Sequence, residues 1–271
     1  MIGVELRKLL RRPRTWVVIA LLDALPTLVA VLLAVTDLAP RPGTGPAFLS
    51  AVLSNGVLFP AAALAIVLPL FLPVAVAIVA GDSVAGEAQA GTLRYLLARP
   101  AGRTRLLVAK LVAVLVFVAL AVVVVTVTAY FVGTALFGTG SLDGSVVAVS
   151  GVPLSPRQAV WRTLLAMAYV AFSMLGVAAV ALLLSTITDS PLAAAMGALA
   201  VLVASSLLLT LDAAGALQPY LPTRYWLAFV DLFRQPILWR DLIRGVALQA
   251  VYVAVLLAAT WANFTTKDIK S

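Results

Sequence analysis

Apolar stretches of membrane-spanning length recur six times along this 271-residue chain, at residues 16–35, 57–80, 107–131, 163–185, 191–211 and 246–264. At about 1.5 Å of rise per helical residue, each can cross a hydrocarbon core about 30 Å thick. Lipid offers no hydrogen bonds to a bare backbone, so spans of this kind must be helices. The composition agrees, with 63% apolar residues, 11% charged residues and a mean hydropathy of +1.11. A soluble domain carries about 25% charged residues. Soluble enzymes, disulfide-stapled secreted domains and disordered proteins are therefore excluded. The expected fold is all-α: an integral membrane protein of six transmembrane helices forming one transmembrane domain over residues 1–271.

Several chemistries lack their residues. Cysteine and histidine are both absent, which removes disulfides, thiol chemistry, thiolate or imidazole metal sites and any His base. No G-x4-GK[ST] motif occurs, since Gly81 and Gly86 are followed by Glu87 and Ala88 rather than by Lys and Ser or Thr. No G-x-S-x-G or H-E-x2-H occurs either. No Lys lies deep in a span to serve a Ser–Lys protease, Lys110 sitting at the edge of the third. The chain is expected to carry no catalytic residue, metal or cofactor of its own.

The net charge of +8 suits a membrane protein better than a nucleic-acid binder, because Lys and Arg gather on the cytoplasmic side of spanning helices. Twelve Lys and Arg fall in stretches that alternate onto one face, against seven in the opposite loops. Both termini are therefore expected to be cytoplasmic, in a multi-pass protein of the inner or plasma membrane. The basic, then apolar, start has the look of a signal peptide. Residues 16–35 exceed a signal's apolar core, however, and no clean A-x-A site follows, so this helix is expected to be retained.

Residues 2–12 place Ile2, Leu6, Leu9 and Leu10 on one helical face and Glu5, Arg7, Lys8, Arg11 and Arg12 mostly on the other. This pattern fits an elbow helix lying in the headgroup plane over residues 1–15, and a bare stop-transfer charge cluster is the plainer alternative. Pro13 separates it from the first span, where Trp16 occupies an interfacial position. Between the second and third spans, residues 81–110 are too polar to cross a bilayer. Thr92 can cap a short helix with Leu93, Leu96 and Leu97 on its apolar side, ended by Pro100 and Gly102. A positive-inside loop with incidental helicity is the alternative. Pro60, Pro69 and Pro73 should kink the second span.

The combination Glu87, Gly91-Thr92-Leu93, Leu96-Leu97-Ala98, Pro100, Arg103 and Lys110 resembles the signature of ABC-2-type ABC transporter permeases. The basic start at residues 5–16 and the short turn at residues 185–191 also resemble that family, so the likeness covers nearly the whole chain. The resemblance implies a homodimer of permeases with two copies of a separate ABC ATPase subunit, which would hold ATP and Mg. It makes residues 82–100 the coupling helix seated in the ATPase, and the 185–191 turn a second contact. The implied coupling interface is Asp82, Glu87, Gly91, Thr92, Leu93, Leu96, Leu97, Arg99, Pro100, Arg103, Thr188 and Asp189.

Asp23 lies about two turns inside the first span, where a carboxylate costs roughly 2.5–3.5 kcal/mol to insert. It is expected to line the translocation path or a dimer seam, or to reach water or a neighbouring helix. Ser206 and Thr210 are weaker path candidates; with Thr126, Thr128, Ser173 and Ser205 they more often bond their own backbone or join helices. Gly176 and Gly197 read as close-packing points. The outer stretch 212–245 mixes Tyr220, Tyr225, Trp226, Phe229, Phe233 and Trp239 with Asp and Arg, an interfacial composition. The family resemblance implies re-entrant helices there, and a surface loop with aromatic anchors is the alternative.

The leading expectation is thus the permease half of an ATP-driven exporter of a hydrophobic or amphipathic substrate. One alternative is a permease that relays conformational change to an extracytoplasmic maturation or assembly partner. An ion-coupled secondary transporter would be expected to carry more intramembrane carboxylates than Asp23, and a passive scaffold would not respond to nucleotide.

Overall fold

The computed structural model describes residues 2–36, 55–91, 103–139, 146–147 and 153–266. Within them the chain is all-helical apart from a two-residue antiparallel pairing of Val146–Val147 with Pro153–Leu154. Six helices among the described residues are long and apolar enough to cross a membrane.

The amphipathic start forms α1, Ile2–Arg11, which buries only Leu9. Arg12 breaks out into extended backbone and Pro13 restarts the chain as α2, Pro13–Val35. A proline suits this first helical position because its missing N–H would have no partner there. Asn55 caps a 3-10 turn, Gly56–Leu58, by accepting from the Val57 N–H, and the turn leads into α3, Phe59–Val67.

The second expected span is broken into α3 and α4, Phe71–Gln89, by a turn at Leu68, Pro69 and Leu70. Pro69 cannot donate to the carbonyl four residues back, and neither can Pro73, so the ladder fails at this point. A second correction concerns residues 82–89. The sequence assigned them to a separate coupling helix, yet they are the last two turns of α4. Gly91, at φ +68°, ends that helix in the left-handed conformation that glycine adopts without strain.

The third span is longer than its apolar run and forms α5, Arg103–Phe137. The fourth, α6, Pro156–Ile187, starts seven residues early because Ser155 and Gln158 form a reciprocal capping box ahead of it. Next come α7, Pro191–Leu208, capped by Ser190, and α8, Trp239–Thr266. Between α7 and α8 the chain makes three 3-10 stretches, Asp212–Ala214, Gln218–Tyr220 and Trp226–Phe233.

The core lies where α4 packs on α6 and α7, α6 on α8, and α5 on α2 and α3. Alanines such as Ala62, Ala63, Ala77 and Ala80 are buried there; small side chains let helix backbones approach closely. The outward faces remain apolar. Leu192, Ile243, Val251 and Val255 are all more than 60% exposed, a surface suited to lipid tails and not to water. The chain is a multi-pass membrane protein.

Candidate functional site at the ion-paired end of the bundle

One end of the bundle collects α1, the starts of α2, α5 and α7, and the ends of α4, α6 and α8. Glu87, in the last turn of α4, is buried there between two lysines. Its Oε1 lies 2.8 Å from Lys8 Nζ of α1 and its Oε2 lies 2.7 Å from Lys110 Nζ of α5. The Lys110 side chain is 1% exposed, and its ammonium also donates to the Ser83 carbonyl. A buried lysine is tolerated only with such partners. Five residues earlier on α4, Asp82 Oδ2 accepts from Arg12 at 3.0 Å and pairs with Arg14 at 3.1 Å. These groups line a cleft of about 310 Å³ between α1, α2, α4 and α5.

Three further ties lock the same end. The Ser185 hydroxyl of α6 donates to the Gly81 carbonyl at 2.7 Å and accepts from the Val84 and Ala85 N–H groups at 3.1 and 2.9 Å. It thereby bonds directly to the backbone of one turn of α4. The Arg103 guanidinium donates to the Thr265 carbonyl at 2.8 Å, supplying a donor and a positive charge to the carbonyl end of α8. Asn263 Nδ2 of α8 donates to Thr186 Oγ1 of α6 at 2.9 Å. Replacing Ser185 by Ala should lower stability by about 1 kcal/mol, the usual worth of such a bond in membrane bundles. Thermal unfolding in detergent checks this, and an unchanged midpoint would remove Ser185 from the clamp.

Of the expected coupling residues, Asp82, Glu87 and Arg103 come together at this end. Gly91 closes α4, Thr188 accepts from the Ser190 N–H at 3.2 Å, and Asp189 is exposed in the turn between α6 and α7. Thr92, Leu93, Leu96, Leu97, Arg99 and Pro100 lie outside the described residues. The expected path residues do not converge within the chain. Asp23 sits on α2 with Thr128 of α5 as its side-chain partner, and one of its carboxylate oxygens is buried without a hydrogen bond. Ser206 faces outward from α7 and Thr210 is exposed in the turn after it, while Ser205 turns inward, its Oγ 2.7 Å from Thr223 Oγ1.

The opposite end is organised by the 3-10 stretches. Phe229 and Phe233 are fully buried. Arg162 donates to the Leu232 and Arg234 carbonyls at 2.9 and 3.0 Å, Tyr169 to the Tyr225 carbonyl at 2.7 Å and Gln249 to the Pro222 carbonyl at 2.7 Å. Trp226, Phe229 and Phe233 are thus part of the core, while Tyr220 and Trp239 stay exposed. Sequence reading missed Lys8, Ser185, Arg162 and Gln249 as tying groups. Gln249 carried an available signal, an amide set among apolar residues of its span.

No curated protein matches the chain. A family model does match, over residues 29–270, from within α2 to beyond α8. That stretch contains Asp82, Glu87, Arg103, Lys110 and Ser185 and leaves out Lys8 of α1, Arg12, and Arg14 at the start of α2. By this match the chain belongs to the family described as "Protein of unknown function (DUF2705)".

Proposed function

We propose that this chain is the permease subunit of an ATP-driven, ABC-2-type exporter, paired with a second copy of itself and powered by two copies of a separate ATPase subunit. The observation that supports it most is how the helices flanking residues 92–102 are held. α4 and α5 are joined by the buried Glu87–Lys110 pair, α4 is bonded to α6 through Ser185, and α5 to α8 through Arg103. A push on the 92–102 connection would therefore move four helices together instead of bending one. In this reading both chain ends and residues 92–102 are cytoplasmic, α1 lies in the headgroup plane, and the 212–245 segment caps the path in the outer leaflet. ATP and Mg bind to the partner, and this chain converts ATPase closure into a change of access for a hydrophobic or amphipathic substrate.

The test is reconstitution in nanodiscs with ATPase subunits from the same genome. The permease should co-purify with one of them and change its ATPase rate. Leu96→Asp should reduce association and coupling at least tenfold while the midpoint of thermal unfolding stays put. Because the chain has no cysteine, a single cysteine at Ala98 reports sidedness cleanly. Labelling of that position from outside the cell, or a chain that transports without an ATPase, would sink the proposal.

A further inference from the structure

The cleft at the ion-paired end does not stop at its charges. Val18 in its wall is also a wall residue of a second space, an apolar groove of about 450 Å³ between α2 and α4. The groove exists because α2 packs on α5 and α3 and hardly touches α4. One face of each helix runs through both spaces. On α2 it passes from Arg14 and Val18 to Leu21 and Leu28, and on α4 from Asp82 through Ile78 to Phe71. Leu21 and Leu28 are more than half exposed, so the groove opens sideways to the bilayer. Asp82 and Phe71 are separated along α4 by about 16 Å at 1.5 Å per helical residue, close to the depth of one leaflet in a core about 30 Å thick.

The charges at the head of the groove keep donors to spare. Arg12 and Arg14 both reach the same oxygen of Asp82, at 3.0 and 3.1 Å, which sets two guanidiniums side by side around one carboxylate. A guanidinium has five N–H donors, and Asp82 uses few of them. The two side chains line the cleft and are 46% and 54% exposed, so an incoming anion can reach them. Taking every ionisable group of the cleft wall together, Lys8, Arg12, Arg14 and Lys110 face Glu5, Asp82 and Glu87, a surplus of one positive charge.

Helix α1 sets the level of the cleft in the membrane. At 3.6 residues per turn, Glu5, Lys8 and Arg12 share the face turned to the cleft, Ile2, Leu6 and Leu10 share the next face round, and Arg7 and Arg11 lie away from both. Ile2 and Leu10 are exposed, and an apolar stripe of this kind sinks into the boundary between headgroups and acyl chains. The adjoining cleft face then stands level with the lipid phosphates.

We propose that the cleft and the groove together bind one anionic phospholipid, its phosphate on Arg12 and Arg14 and an acyl chain along the groove. Guanidinium and phosphate make strong charge-assisted hydrogen bonds, and basic pockets between spanning helices hold anionic headgroups in this way. The surplus positive charge selects an anionic headgroup over a zwitterionic one, and the wholly apolar groove selects a lipid over a free phosphate. The inference rests on the two connected spaces and does not depend on the exporter reading.

The experiment is native mass spectrometry of the purified full-length chain, incubated in detergent with equal amounts of dioleoyl phosphatidylglycerol and dioleoyl phosphatidylcholine, which share their chains and differ in headgroup charge. One retained phosphatidylglycerol per chain is expected, preferred about fivefold, the worth of one surplus charge near a membrane surface. Arg12→Gln/Arg14→Gln should remove the preference. Arg7→Gln/Arg11→Gln, which takes the same charge from the face turned away, should leave it intact. Ala24→Trp, at an exposed wall residue of the groove, should weaken retention of both lipids. Glycerol phosphate, a headgroup without chains, should not compete. If a variant fails to fold, the wild-type preference and the glycerol phosphate competition decide. Equal retention of the two lipids by the wild-type chain would overturn the proposal. So would a preference that survives loss of Arg12 and Arg14 or disappears with Arg7 and Arg11, retention unchanged by Ala24→Trp, competition by glycerol phosphate, or no retained lipid, the result if a second copy of the chain covers the groove.

Discussion

Replacing Glu87 by leucine is expected to destabilise the protein by about 3–5 kcal/mol, the cost of removing one partner from a buried ion pair. The loss comes less from the missing attraction than from what is left behind. Lys110 is almost fully enclosed and would keep, among the described residues, only the Ser83 carbonyl as a partner. The double variant Glu87→Leu/Lys110→Met should recover most of the stability, since it removes the stranded charge and refills the space with hydrocarbon. Lys8→Ala should cost no more than about 1 kcal/mol, because the Lys8 side chain is 38% exposed and its pairing with Glu87 is partly screened. Thermal unfolding of the four proteins in one detergent checks the series. A double variant no more stable than Glu87→Leu would show that the pair does not act as a unit. The same reasoning separates structure from coupling. A Glu87 variant loses activity through the fold, so the coupling proposal is tested at Leu96, beyond the clamp.

Much of the helical frame was legible because apolar runs of about 20 residues have few alternatives in lipid. Pro13 was legible as the break after α1, whereas the equally local capping box at Ser155 was not read, and α6 starts seven residues before its expected span. The break at Pro69 was half visible: three prolines announced a disturbance, but not that α4 would restart and run on to Gln89. Hydropathy hid that extension. GDSVAGEAQ is too polar for bare lipid, yet Asp82 and Glu87 are neutralised by Lys8, Arg12, Arg14 and Lys110. Those partners lie 70 and more residues away for Arg12 and Lys8, and 23 away on another helix for Lys110, distances at which no periodicity speaks. Ser185 was read as part of a turn because a lone serine at a helix end signals nothing about the α4 backbone it bonds. Residues 92–100, on which the coupling motif mostly rests, lie outside the described residues, and that part of the reading stands on resemblance alone.

At the other end of the bundle, Gly133→Ala should destabilise the protein by about 2–3 kcal/mol, against the ordinary trend for a helix. Inside an exposed helix, alanine is favoured over glycine by about 1 kcal/mol because it restricts the unfolded chain more. Gly133 is buried in α5, and a Cβ there would stand 2.4 Å from Phe59 Cβ and 2.5 Å from the Gly56 carbonyl oxygen. The reverse contact is closer still, a Cβ on Gly56 falling 1.9 Å from the Gly133 oxygen. None of these atoms is the free end of a flexible side chain, so relief requires the turn at Gly56–Leu58 and the start of α3 to move off α5. Overpacking that forces backbone shifts costs about 1–3 kcal/mol, occasionally more. Gly133→Val should cost more than Gly133→Ala. The internal control is Gly3→Ala in α1, where a Cβ meets nothing within 4 Å and the change should be neutral or stabilising by up to about 1 kcal/mol. A Gly133→Ala protein that unfolds at or above the wild-type temperature would mean that α3 and α5 do not meet backbone to backbone.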